Sequence, residues 1–175
     1  MNIRGTPELW IEWLAGSDRR KWKEATLILG GLSPDDQIPL EPLIKGLSSA
    51  DDNIVFWCAI GLGCTGPKAI NAVNELIRVA DGHNQVGARQ AAINALSDVA
   101  PNNNSVKLTV LGCLNDASPF VRREALEALI ECDKLTDDDL SKIAAMQSDP
   151  DNTVAEWSEI ALRNIKNRRE GTTGT

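Results

Sequence analysis

The sequence predicts an all-α fold, a right-handed α-α superhelix of five helix-turn-helix units, on three observations. A helical pattern recurs at a near-constant step of 33 residues. An acidic or small polar turn precedes each copy. Ahead of each turn lies a second amphipathic stretch. Neither helix of such a unit can bury its apolar stripe alone, so neighbouring units are expected to stack into a solenoid with one concave inner face.

The first unit, about 5–32, opens at Thr6-Pro7-Glu8 with a helix over 7–16 and, after Ser17-Asp18, a second over 21–29. The second, 33–64, places helices over 39–47 and 55–63 around Asp51-Asp52-Asn53. The third, 67–99, pairs 67–80 with 88–96 around Asp81-Gly82. In the fourth, 104–132, Ser118 reads as an N-cap and Pro119 as the first helical residue between 105–114 and 121–129. The fifth, 136–166, starts at Thr136 with Asp137, Asp138 and Asp139 against the positive end of the dipole, and turns at Asp149-Pro150. Apolar or small residues recur at positions 0, 4, 7 and 8 of each second helix, such as Val55, Ala59, Leu62 and Gly63, or Val121, Ala125, Ala128 and Leu129. A single domain over 1–166 and a disordered tail over 167–175 are expected.

Composition narrows the function. The 175 residues are 42% hydrophobic and 25% charged, with a net charge of −7 shared as −3 in 1–88 and −4 in 89–175. Without a basic half, phosphate neutralisation is disfavoured, and nucleic acid is not an expected partner. Four cysteines without a CxxC pair and a single histidine make a structural zinc site an unpromising reading. Free thiols without a signal peptide point to a cytoplasmic setting, and no apolar run approaches the length of a membrane span. With one His, no Tyr and no clustered acid–base set, no catalytic residue, metal ligand or cofactor is expected.

The spacing Asp116, Val121, Arg122, Ala125, Leu129 resembles the second helix of a HEAT repeat. The short step is more similar to the compact bacterial HEAT-like class noted in phycobilin lyases than to the usual repeat of roughly 40–47 residues. The resemblance covers nearly all of 5–165 and implies an armadillo-like α solenoid. The aligned Arg occurs at Arg89 and Arg122 and is replaced by Phe56 and Ala155, so an Asp–Arg ladder between units would be incomplete. An ankyrin array is excluded by a single Thr-Pro without its His, and a tetratricopeptide array by the absence of Tyr.

Several motifs imitate chemistry. Gly61, Gly63 and Gly66 form a GxGxxG with Asp81 twenty residues after Gly61, but the repeat register makes this segment a helix that ends in glycines. His83 reads as an exposed turn residue. Arg163, Lys166, Arg168 and Arg169 read as solvated cations at a helix end. Cys58 and Cys64 read as small buried thiols.

The outward positions 2, 3, 6 and 9 of the second helices are the informative surface. There Trp57 is expected beside a hollow left by Gly61 and Ala91 and flanked by Gln90 and Asn94. Trp157 falls on the same face of the last unit, while Trp10, Trp13 and Trp22 are expected to shape the first unit. The expected function is a non-enzymatic protein–protein interaction scaffold. Its concave-face site would comprise Trp57 and Trp157 as apolar anchors, Gln90 and Asn94 as backbone-bonding amides, and Arg123 with Glu127 for charge preference. A phycobilin lyase-like or other HEAT-like enzyme accessory role is the alternative implied by the resemblance. A DNA-binding solenoid ranks below it, because Lys23, Arg123 and Arg163 face Glu24, Glu124, Glu127 and Glu156.

Overall fold

A computed structural model describes residues 5–172. Among them are ten α-helices and no strand: α1 Pro7–Ala15, α2 Arg19–Leu29, α3 Glu41–Gly46, α4 Asp52–Cys64, α5 Val73–Gly82, α6 Val86–Val99, α7 Asn104–Cys113, α8 Pro119–Ile130, α9 Asp137–Ala145 and α10 Asn152–Thr172. They pair as the repeat predicts. The chain divides into two compact units, Met1–Ala100 with the first three pairs and Pro101–Thr175 with the last two.

Capping explains many of the starts. Asp18 accepts the N–H groups of Arg20 and Lys21 at α2, and Asp51 accepts that of Asn53 at α4. Thr136 and Asp139 form a reciprocal capping box at α9. Ser118 does precede Pro119 at α8, but its side chain makes no cap bond. Arg122 instead donates to the turn carbonyls of Asp116 and Ala117.

The first unit is packed around Trp10, Leu29, Leu43, Val55, Leu62, Leu76, Ile93 and Leu96, each 0% exposed. Trp10 is therefore core, while Trp13 and Trp22 are half-buried. The segment with the GxGxxG spacing is helix α4. Its Gly63 faces α6 so closely that an added Cβ would stand 3.1 Å from the Ala95 Cα. Gly66 follows the C-cap Thr65 with φ +57°, where a side chain would be strained. One expected helix is shorter than its pattern: residues Gly66–Ala72 form a 3-10 stretch with a non-helical Ala69 before α5 begins. The break lies at Ala69, whose φ −83° and ψ 20° leave the helical region. Arg78 of α5 closes the third pair onto the second by donating to the Leu47 carbonyl and the Ser48 hydroxyl at the end of α3.

The second unit is held by Val121, Ala125, Leu126, Leu129, Ile143, Val154 and Ala161. Ser158, which takes the place of the recurrent alanine, is fully buried and donates to the Ile143 carbonyl at 2.6 Å. Partly buried ion pairs join its repeats. Arg122 grips Asp149 through Nε and a terminal nitrogen at 2.8 and 2.7 Å, and Lys107 meets Asp139 at 3.2 Å. Asp139 is thus buried, unlike its exposed neighbours Asp137 and Asp138.

The tail differs from expectation. α10 continues to Thr172 through residues expected to be disordered, and 173–175 lie outside the described residues. Arg168 donates to the Ile130 carbonyl and pairs with Glu131 at 2.7 Å, and Arg169 donates to the Leu135 carbonyl. These two arginines, expected to be merely solvated, tie the last helical turns to the α8–α9 connection. Arg163 and Lys166 are exposed.

Candidate functional site

The second helices α2, α4, α6, α8 and α10 carry the candidate residues. Positions 0, 4, 7 and 8 are buried in all five except at Lys21, which is exposed, and Leu162, which is half-buried. Position 3 is a correction to the sequence reading. Cys58 is 0% and Ala91 3% exposed, so the buried stripe is wider than the pattern suggested.

Trp57 is half-buried. It meets Trp22 of α2 edge-on at 6.4 Å between ring centroids and Phe56 at 5.1 Å. Its six-membered ring also lies over Gly30, where a Cβ would stand 3.6 Å away. Phe56 in turn covers Gly87 of α6 at the same distance. Trp22 and Phe56 occupy position 1, where Arg89 and Arg122 stand in the next two repeats. An aromatic group thus links α2, α4 and α6 where later repeats carry arginine. The sequence pattern assigns Trp22 to the first repeat alone and passes over Phe56, because only positions 2, 3, 6 and 9 read as outward-facing.

The expected hollow at Gly61 is absent. A Cβ there would stand 3.0 Å from Leu29 Cδ2 and 3.4 Å from Leu32 Cδ1, so leucines already fill the space. Gln90 and Asn94 lie one turn apart on α6, the first half-buried and the second exposed. In this unit the face consists of a supported tryptophan followed by two amides.

In the second unit the structure brings Arg123 and Trp157 together. The guanidinium carbon lies 5.7 Å from the ring centroid, a cation–π contact between α8 and α10. Arg123 also pairs with Glu124 at 3.4 Å, and its buried Nε has no hydrogen-bond partner. Glu127 is exposed one turn further along α8. Beside Arg123 lies a cleft of about 250 Å³ lined by Pro119, Phe120, Asp151 and Thr153. Phe120 is 63% exposed, a position that the sequence reading did not single out.

The remaining chemistry-bearing residues lie elsewhere. His83 is not simply exposed: it accepts the Gln85 N–H through Nδ1 and stands 3.7 Å from Asp52. Among the described residues no three His, Cys, Asp or Glu side chains converge as a metal site, and no helix is long and apolar enough to cross a membrane. Burial pushes the Cys58 thiol up to about 12. Cys64 is half-buried and also raised, first by burial and then by the nearby Asp98. Thiolate, not thiol, is the nucleophile. Iodoacetamide at mildly alkaline pH is therefore expected to leave Cys58 unmodified in the folded protein, and peptide mass mapping checks this. Labelling of Cys58 as fast as in the unfolded chain would contradict its burial.

No protein-family model matches the chain, and no curated protein matches it in sequence. Solved structures do. One engineered protein from a structural-genomics consortium is similar at TM-score 0.65 with 21% identity, over 92% of this chain and 81% of its own. Another reaches 0.61 with 19% identity, over 92% and 79%. A designed armadillo repeat protein in complex with the peptide (KR)4 is similar at 0.62 with 17% identity, over 89% and 80%. The fold is accordingly that of the armadillo- and HEAT-like helical repeats.

Proposed function

We propose that this chain is a non-enzymatic scaffold whose second-helix faces hold a segment of another protein. The supported but incompletely buried Trp57 beside the amides of α6 carries the reading. A large aromatic held by Trp22 and Phe56 loses little further side-chain freedom on binding. Gln90 and Asn94 supply donors and acceptors for a partner backbone. In the second unit Arg123 is pre-oriented over Trp157, and Glu127 adds charge discrimination. Designed armadillo repeat proteins sharing this fold were made for modular peptide recognition, which supports the reading.

The test is selection of binders from a random peptide library, followed by titration against variants. Peptides selected on the first unit's face are expected to bind Trp57→Ala at least about tenfold more weakly, the loss typical of a hot-spot residue. Because Trp57 is half-buried, the exposed-side variant Gln90→Ala/Asn94→Ala is measured beside it, with circular dichroism on both. Undiminished binding by the folded double variant and by a folded Trp57→Ala, or no enriched peptides at all, would overturn the proposal.

A further inference from the structure

We infer that the α2 end of the first unit's second-helix face takes an acidic protein segment, an assignment that rests on the scaffold reading and specifies its partner. Four of the chain's 18 Lys and Arg residues fall within 19–23. All four, Arg19, Arg20, Lys21 and Lys23, are exposed. Several other cations are engaged, Arg78 with Glu75, Lys107 with Asp139, Arg122 with Asp149, Lys142 with Asp138 and Arg168 with Glu131, while exposed single lysines such as Lys45 and Lys68 lie apart from one another in the sequence. Among the described residues, none of the four α2 cations has a carboxylate partner at ion-pair distance. The adjacent Asp18 instead accepts the backbone N–H groups of Arg20 and Lys21.

The capping Asp18 carboxylate offsets this clustering of cations only in part. α2 has no acidic residue in its first turn, and its cations crowd the positive end of the helix dipole. An anionic partner relieves both this repulsion and the repulsion among the cations. The geometry around the cluster indicates its chemistry. Arg19, Lys23 and Leu27 follow one another at four-residue intervals along one side of α2, and Leu27 is 64% exposed. Lys23 and Leu27 hold positions 2 and 6, as Gln90 and Asn94 do on α6, while Trp57 holds position 2 on α4. From α2 to α6 the face therefore offers cations with an aliphatic side chain, then an aromatic ring, then amides. A polypeptide with Asp or Glu beside an apolar residue matches that order. A nucleic acid does not, because the cations span only about 6 Å of helix and the face continues with neutral groups.

The probe is a short fluorescein-labelled peptide in which Glu and Asp flank a single Leu, titrated by anisotropy at low salt. Saturable binding is expected, weakened by added salt and reduced about tenfold or more in Arg19→Glu/Lys23→Glu. The same peptide should bind unchanged to Lys68→Glu, which alters an exposed cation outside the cluster. The charge reversal puts carboxylates where the α2 dipole favours them, so the fold should survive, and circular dichroism checks it. Equal affinity for the reversed variant, or for a peptide with Lys in place of Glu and Asp, would overturn the inference. So would tighter binding of a single-stranded oligonucleotide or of phosphatidylserine vesicles. If library-selected peptides bind through Trp57 yet ignore Arg19→Glu/Lys23→Glu, the scaffold reading stands and the acidic segment falls. If neither selected nor acidic peptides bind, both fall.

Discussion

Gly63→Val is expected to destabilise the protein by about 3 kcal/mol, the upper end of what overpacking a close contact costs. A Cβ at this position would stand 3.1 Å from the Cα and 3.2 Å from the Cβ of Ala95. Neither atom belongs to a flexible side-chain end, so relief requires α4 and α6 to move apart. Both helices are lined with fully buried residues on either side of the contact, including Leu62 and Leu96, and separation would open voids there. The measurement is chemical unfolding followed by circular dichroism. Gly112→Ala supplies a control of opposite sign. Nothing lies within 4 Å of the added Cβ on α7, and alanine in place of a helical glycine should stabilise by about 0.5 kcal/mol. A neutral Gly63→Val would mean that the helices do not approach as closely as described.

Arg122→Ala is expected to cost about 3 kcal/mol, because it leaves the Asp149 carboxylate buried without its cation. The side chains of the pair are 12% and 5% exposed, and the guanidinium makes two hydrogen bonds to the carboxylate. It also supports the turn carbonyls of Asp116 and Ala117, which lose their donor in the same variant. The pair carries a pH signature. The hydrogen bond from Arg122 is the main reason that Asp149 is held below the usual carboxylate range, against the opposing effect of burial. A carboxyl group depressed in the folded state stabilises fully above its unfolded pKa, about 4, and this contribution is lost as pH falls through the folded value. Wild type should therefore lose stability below about pH 4 more steeply than Arg122→Ala. Parallel acid limbs would contradict the assignment.

The repeat register exposed the fold because five copies of one helical pattern cannot arise from a strand or loop. It even decided the GxGxxG segment correctly, since Val55, Ala59 and Leu62 matched core positions in other copies. The candidate site was less legible. Periodicity reports which side of a helix is apolar, not how wide the buried stripe is, and so position 3 counts as outward in the pattern although Ala91 there is buried. The support that Trp22 and Phe56 give Trp57 is not legible in the sequence, because they stand where Arg stands in other repeats and their role depends on rings meeting across helices. The hollow expected at Gly61 depended on which neighbour would approach, and three leucines of the preceding segments do so. Arg168 and Arg169 looked like tail residues because the carbonyls they bind lie more than thirty residues away in sequence.

The indole N–H resonances of the five tryptophans provide the most direct test of the central claim. A library-selected or acidic peptide is titrated into isotopically labelled protein while these signals are followed. Trp57, Trp157 or both should shift, with backbone changes at Gln90 and Asn94 or at Arg123 and Glu127, while the fully buried Trp10 stays fixed. Shifts confined to Trp13 and to α1, α3, α5, α7 or α9, with Trp57 and Trp157 unmoved, would contradict the account.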